Sequence, residues 1–335
     1  MGNNSPSFLK IAKPYKAIIE NSLATWLERS VAAESRPLVS EALCPGRRLR
    51  PVLMLMLIAP IEEVESILER HPDLESTWLS LELLHRSSII VDDMIDLDVE
   101  RRSRPTFHLR HSEEHTVLVS HYLVSEAVRL FSTLGIDTRN AFADAYREMC
   151  IGELVDVCGS GEFRPAWETY KSIVLRKTNK LFASLFTIAA KFVSYDNANF
   201  DPERLGRKVG NLYQMANDFY DGTQPLDARG DKVFFKLTFD MLTALAIDAN
   251  EGIKDEATKL IGRKLNSQQF SSWKELIHTP EMLEAAQTKL SLAVKAVEAE
   301  LEFVPSRWGC LLGSFCDELL SPDYWNHREF AGAGY

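Results

Sequence analysis

The chain has 335 residues, of which 45% are hydrophobic and 26% charged, and a formal net charge of -10 at pH 7. That length can bury one large core or two average ones, and the apolar content excludes a disordered chain. The acidic balance argues against nucleic acid or an anionic membrane surface as a partner, because both attract basic surfaces.

In chain order, Met1-Gly2-Asn3-Asn4-Ser5-Pro6 approaches a myristoylation signal but has Pro6 where Ser or Thr is needed, and no signal peptide follows. Residues 1–10 are expected to be a short arm. Helical periodicity runs through Tyr15 to Arg29, Trp78 to Ile95, Glu114 to Leu134, Thr138 to Cys158, Trp167 to Val193, Glu203 to Asp221, Phe239 to Asp248, Ile253 to Lys264 and Pro280 to Leu301. The longest purely apolar run, Val52 to Pro60, falls well short of the roughly 20 residues that span a bilayer. Strand alternation is nearly absent, and breakers such as Gly159-Ser160-Gly161 separate the helical stretches. One all-α domain over 1–335 is therefore expected, a bundle of about ten or more helices around a central cavity, with an atypical tail over 321–335. The five cysteines (Cys44, Cys150, Cys158, Cys310, Cys316) are odd in number and lack zinc-type CxxC spacing, which predicts buried thiols and a cytosolic address.

An acidic run, Val91 to Arg102, interrupts a segment whose Leu81, Leu84, Ile89 and Ile90 read as buried helix. On a helix, Asp92 or Asp93 and Asp96 lie three and four apart, so their carboxylates share a face within reach of one hard cation. Magnesium binds through one or two carboxylates plus water and substrate phosphates, so such a face beside Arg101 and Arg102 suggests a magnesium-diphosphate site. A second acidic cluster, Asn217, Asp218 and Asp221, stands near a later helix end. Alone it reads as a helix C-terminus running into Gly222-Thr223; paired with the first it becomes the facing wall. Gly46-Arg47-Arg48-Leu49-Arg50-Pro51, Lys177-Thr178 and Lys236 add cations beside apolar helices, and His85 lies two turns before Asp92. Singly each is an ordinary snorkelling or packed residue; together they place fixed positive charge where a leaving diphosphate develops negative charge.

In this order the motifs resemble those of the all-trans isoprenyl diphosphate synthase family, whose fold is the all-α isoprenoid synthase bundle. Gly46 to Pro51 is similar to the family's GKRLRP, and His85 to its phosphate-binding histidine. Asp92 to Asp96 with Arg101-Arg102 resembles the first aspartate-rich motif, and Lys177-Thr178 with Leu181-Phe182 the KT..LF segment. Gln214 with Asn217 to Asp221 resembles the second aspartate-rich motif, and Lys236-Leu237-Thr238 the GKxTxP segment. The resemblance implies a magnesium-dependent prenyltransferase, expected to be a homodimer, with three magnesium ions held by Asp92, Asp93, Asp96, Asn217, Asp218 and Asp221. It implies that Arg101, Lys177, Thr178, Gln214 and Lys236 bind the allylic diphosphate, with Asp92, Asp96, Lys177 and Lys236 serving catalysis. Arg47, Arg50, His85 and Arg102 would hold the phosphate of the acceptor. Ser87 and Ser88, five and four residues before Asp92, stand where bulky aromatics stop short chains in the family, which implies room for a C20 chain or longer.

Several positions depart from the family pattern. Asn217 removes a charge from the second motif, Glu153 replaces the Gln of a GQ pair, Val91 replaces a His, Phe235 a Gly and Asp240 a Pro. These departures lie on the metal and acceptor side. They favour transfer of a geranylgeranyl chain to a phosphate-bearing aromatic acceptor, such as the indole-3-glycerol phosphate used in indole diterpene pathways. The alternative is a geranylgeranyl diphosphate synthase that condenses farnesyl diphosphate with isopentenyl diphosphate. A silent partner subunit is disfavoured because the first motif is intact. A cyclase is disfavoured because Pro225 stands where its second motif needs Glu.

Overall fold

The computed structural model describes residues 7–43, 46–101, 104–157, 166–193, 195–223, 235–236, 240–260 and 263–326. Its helices are α1 (Phe8–Ser30), α2 (Arg36–Ala42), α3 (Leu49–Ile58), α4 (Val64–Arg70), α5 (Asp73–Ile95), α6 (Phe107–Arg110), α7 (Glu113–Phe131) and α8 (Ile136–Val157). They continue as α9 (Ala166–Ala190), α10 (Pro202–Thr223), α11 (Met241–Ala249), α12 (Glu251–Leu260), α13 (Ser267–Ile277), α14 (Pro280–Leu301), α15 (Ser306–Leu319) and α16 (Pro322–Asn326). Two antiparallel pairs of two-residue strands complete it: β1 (Glu100–Arg101) with β2 (Arg104–Pro105), and β3 (Phe235–Lys236) with β4 (Lys264–Leu265). The all-α expectation holds.

The predicted helix Pro280 to Leu301 is observed with those limits. Elsewhere tertiary packing corrects the sequence. The N-terminal arm is shorter than ten residues, because Phe8 already belongs to α1, is fully buried, and sets its ring 4.7 Å from that of Phe315 on α15. The apolar run from Val52 is the buried helix α3, whose every residue is enclosed, so it carries no amphipathic stripe for periodicity to find. The expected atypical tail begins with a short ordered helix, α16, that packs on α15 and α10. No helix among the described residues is long and apolar enough to cross a membrane.

Helix α9 is the axis of the bundle and packs against α3, α8, α10 and α11, while α5 packs chiefly against α7. The contact between α9 and α10 is unusually close. A Cβ at Gly206 would stand 2.7 Å from the Ala183 Cα, and one at Gly210 would stand 2.7 Å from the Asn179 Cα. The absent side chains let the backbones meet, and Asn179 Nδ2 then donates to Asn211 Oδ1 across the seam at 3.0 Å. A buried ion cluster fixes the opposite side. Arg48, left-handed at φ 51, caps the start of α3 and bonds Glu82 of α5 (2.6 Å), Glu20 of α1 (3.0 Å) and the Leu43 carbonyl (2.7 Å).

Gly210→Ala is expected to overpack the α9–α10 seam and lower stability by about 1–3 kcal/mol. The urea midpoint measures this, and an unchanged midpoint would contradict backbone contact at that position.

Candidate active site

Helix α5 changes character along its length. Leu74, Trp78, Leu81 and Leu84 are buried in the core, and the helix then ends in acid. It closes with a left-handed Leu97 (φ 58), whose amide bonds the Met94 carbonyl while that of Asp98 bonds the Asp93 carbonyl. This is the double hydrogen bond of a Schellman cap, with leucine where glycine is usual. The cap turns the chain into the β1–β2 hairpin, and the hairpin brings Arg101 back to α5. Arg101 Nη2 lies 2.5 Å from Asp93 Oδ1 and 3.8 Å from Asp98 Oδ2.

The first aspartate cluster is therefore divided. Asp93, expected among the metal ligands, is buried against Arg101, because successive helical residues diverge by about a quarter turn. Asp92 acts electrostatically on another set. Burial, then the charges of Asp96 and Glu153, push its carboxyl up to about 8, against the pull of Lys177 and Arg101. Glu153 of α8 meets Lys177 of α9 at 2.7 Å. Three helices thus bring Asp92, Asp96, Glu153 and Lys177 together.

The α9–α10 seam carries the second acidic cluster. Thr178 Oγ1 donates to Gln214 Oε1 (2.5 Å), and Gln214 Nε2 donates to Asp218 Oδ1 (2.7 Å). Tyr170 donates its hydroxyl to Asp218 Oδ2 at 2.7 Å. Burial raises Asp218 to about 8, helped by the charges of Asp240 and Asp221 and opposed by the bonds from Tyr170 and Gln214. Asn217 and Asp221 lie one turn apart and bond each other, amide to carboxylate, at 2.8 Å. The second acidic cluster is thus split as well, with Asp218 turned inward.

A separate cationic group gathers at the start of α3. Arg50 is buried, donates to His85 Nε2 at 2.6 Å, and lies over the rings of Phe182 (5.3 Å) and Tyr213 (5.9 Å). Desolvation lowers its pKa. Arg47 is held by the chain's other end: it donates to the carbonyls of Tyr324 (2.8 Å) and Trp325 (3.2 Å) and sits over both rings. Trp325 in turn stacks on Tyr220, with ring centroids 5.8 Å apart.

A family model described as polyprenyl synthetase matches residues 35–279. The chain belongs to the polyprenyl synthetase family. It is similar to a geranylfarnesyl diphosphate synthase of Natronomonas pharaonis, with 25% identity over 223 residues covering 62% of this chain and 65% of that protein. It is also similar to heptaprenyl diphosphate synthase component 2 of Geobacillus stearothermophilus, with 30% identity over 209 residues covering 59% and 62%. The matches thus span under two thirds of each relative's length. A crystal structure of a Caulobacter crescentus polyprenyl synthase complexed with calcium and isoprenyl diphosphate has the same fold, at TM-score 0.74 and 19% identity, covering 92% of this chain and 95% of that one.

Among the described residues no three His, Cys, Asp or Glu side chains form a ready-made metal cage. A polyprenyl synthetase does not need one for a hard cation such as magnesium, which takes one or two carboxylates and completes its shell with water and phosphate oxygens. Asp92 and Asp96 are hard oxygen donors that repel one another, so the residues present fit such an ion.

The remaining expected site residues are placed unevenly. Arg102 and the side chain of Lys236 lie outside the described residues; the Lys236 backbone pairs with Lys264. Ser87 is buried against Ser120 of α7 (Oγ to Oγ 2.9 Å), with the half-buried Tyr146 of α8 also hydrogen-bonded to it, and Ser88 donates to the His85 carbonyl at 2.9 Å. Tyr170, Tyr213, Tyr220, Tyr324 and Trp325 were not singled out by sequence. Tyr170 alone left a trace: it precedes Lys177 and Thr178 by seven and eight residues, two turns along the same face.

Asp92 and Asp218 hold their protons to about pH 8 in the folded chain, against an ordinary value of 3.8. The native state therefore binds more protons than the unfolded one between those values, and the metal-free protein loses stability as pH rises through that window, levelling off above it. Asp92→Asn should flatten the decline and raise Tm above pH 8. A Tm profile identical to wild type would exclude a buried, repelled Asp92.

Proposed function

We propose that the protein is a magnesium-dependent prenyltransferase that condenses an all-trans allylic diphosphate, farnesyl diphosphate, with isopentenyl diphosphate to give a geranylgeranyl product. One observation carries this reading: two polar half-sites share one bundle, the acidic Asp92–Asp96 pair with Lys177, and the buried Arg50–His85 pair with Arg47 nearby. The names of the relatives, all chain-length synthases, support elongation over transfer to another acceptor.

In this reading Asp92 and Asp96 hold magnesium, which when bound neutralises the diphosphate and stabilises it as a leaving group. Asp93 positions Arg101 rather than ligating. Lys177 and Arg101 donate to the diphosphate oxygens, so fixed positive charge meets the negative charge that grows as the allylic C–O bond breaks. Both bonding electrons leave with the diphosphate. Arg50, His85 and Arg47 hold the second substrate's diphosphate, so its double bond attacks the allylic carbon; the new cation then loses a proton, for which the departed diphosphate is the nearest base. The buried α5–α7–α8 contact at Ser87 means that hydrocarbon room on that side depends on Tyr146 as well as on the serines. Exposed Val117, Leu118 and Val128 on α7, with Leu154 and Val155 on α8, offer an apolar face that supports a homodimer.

A second reading rests on a different observation. The faces of Tyr213, Tyr220 and Trp325 beside Arg47 suit a planar acceptor that carries a phosphate, such as indole-3-glycerol phosphate, whose electron-rich ring captures an allylic cation as an alkene does.

Purified protein with magnesium is given farnesyl plus isopentenyl diphosphate, geranylgeranyl plus isopentenyl diphosphate, or geranylgeranyl diphosphate plus indole-3-glycerol phosphate, and product masses are read. A C20 diphosphate in the first tube is expected. A geranylgeranylated indole in the third, with no elongation elsewhere, would replace the first reading by the second. Asp92→Ala and Lys177→Ala should each lower kcat by about 10²–10³ or more. Unchanged turnover in either would overturn the site.

A further inference from the structure

Arg47 lies outside any helix. It stands in the short segment before α3, next to Arg48 with its left-handed backbone, so no helical ladder fixes its place. What orders its side chain comes from the other end of the sequence. Two consecutive carbonyls of α16, those of Tyr324 and Trp325, accept from one nitrogen, Nη2, at 2.8 and 3.2 Å. The guanidinium lies 4.4 Å from the centre of the Tyr324 ring and 5.2 Å from that of Trp325. These bonds do not exhaust the donors of the arginine fork, which carries N–H groups on Nη1 and Nε as well.

Helix α16 is itself braced. The half-buried Trp325 stacks on Tyr220 and tilts against Tyr213 of α10 (5.7 Å), and its Nε1 donates to the Leu319 carbonyl at 3.0 Å. Tyr324 is buried and stands edge-on to Phe315 of α15. The Tyr213 ring that touches Trp325 also lies 5.9 Å from the Arg50 guanidinium. A single ring thus separates Arg50 from the indole that carries Arg47.

We propose that Tyr324 and Trp325 are positioning residues of the second substrate's site. Helix α16 holds the Arg47 guanidinium in one orientation before the substrate's phosphate arrives, and Tyr213 joins it to Arg50 in one aromatic frame. The entropy lost in ordering a long side chain is then spent in folding, not in binding. This rests on the reading of Arg47 and Arg50 as donors to that phosphate. Isopentenyl diphosphate carries no aromatic ring, so Trp325 acts on it through Arg47.

The test is calorimetric titration of isopentenyl diphosphate into the full chain, for wild type, Trp325→Ala, Trp325→Phe, Arg47→Ala and the double variant of Arg47→Ala with Trp325→Ala. Trp325→Ala should weaken binding about tenfold, the scale of a desolvated cation–π contact, while Trp325→Phe keeps a ring face and should lose about threefold or less. Arg47→Ala should weaken binding about tenfold to a hundredfold, as for loss of a charged donor. The double variant should bind like Arg47→Ala, because without the guanidinium Trp325 has nothing to position. In turnover, the KM for isopentenyl diphosphate should rise in Trp325→Ala while the KM for farnesyl diphosphate stays near wild type. Should Trp325→Ala fold poorly, Trp325→Leu fills volume without a π face and is expected to bind as weakly. Wild-type affinity in Trp325→Ala, with weakened binding in Arg47→Ala, would overturn the role of α16 alone. So would a further loss in the double variant, which would make Trp325 a packing residue only. Tighter binding in Trp325→Ala would mean that α16 competes with the phosphate for Arg47, and would overturn the positioning role equally. Unchanged affinity in Arg47→Ala, or no binding to wild type, would overturn the reading of the acceptor site with it.

Discussion

The site depends on how closely α9 and α10 approach. Two glycines one turn apart, Gly206 and Gly210, leave no room for side chains, so the backbones of the two helices come within van der Waals contact of one another. At that separation Thr178 bonds Gln214 and Tyr170 bonds Asp218 across the seam. The same α9 carries Lys177 on its other side, towards α8 and the end of α5. One helix therefore makes polar contacts on both sides, Lys177 towards α8 and Thr178 towards α10.

Around that axis the chain sorts its charge by burial. Arg48 and Glu82 meet as a buried ion pair that ties α3 to α5, a structural use of the arginine between Arg47 and Arg50. Removing Arg48 would strand the buried Glu82 carboxylate, a loss on the order of 3–5 kcal/mol. Arg50, two residues on, instead donates to His85 beneath two aromatic faces, and its five N–H donors leave capacity for a further acceptor. Arg47 has its guanidinium against carbonyls and rings of α16, which ties that helix to the start of α3. Acid groups follow the same division: Asp93 pairs with Arg101, while the charge of Asp96 acts on Asp92.

Much of this was legible in the chain itself. Period-3.6 patterning located the long helices, and an acidic run at the end of an apolar one marked the acidic end of α5. The pairing of Asp92 with Asp96 followed from their spacing, and motifs grouped Arg50 with His85 and Thr178 with Gln214, whose direct contacts appear only in the fold. What the letters left undecided was of two kinds. A helix buried on all sides, α3, has no polar face to give a periodic signal. Neighbouring acids in a motif, Asp92 and Asp93, read as equivalent letters although a helix points them about 100° apart.

The sequence by itself determined the helical class, the order of the helices and the chemistry of the charged ends, since these depend on local periodicity and residue type. Only the tertiary structure decided which charge meets which. Arg47 and Tyr324 are 277 residues apart, and Tyr170 and Asp218 are 48 apart. Glu153 enters the site because α8 packs on α9. Such contacts arise from the packing of helix against helix, and a pattern read along one strand of chain fixes which face is buried without fixing what lies opposite it.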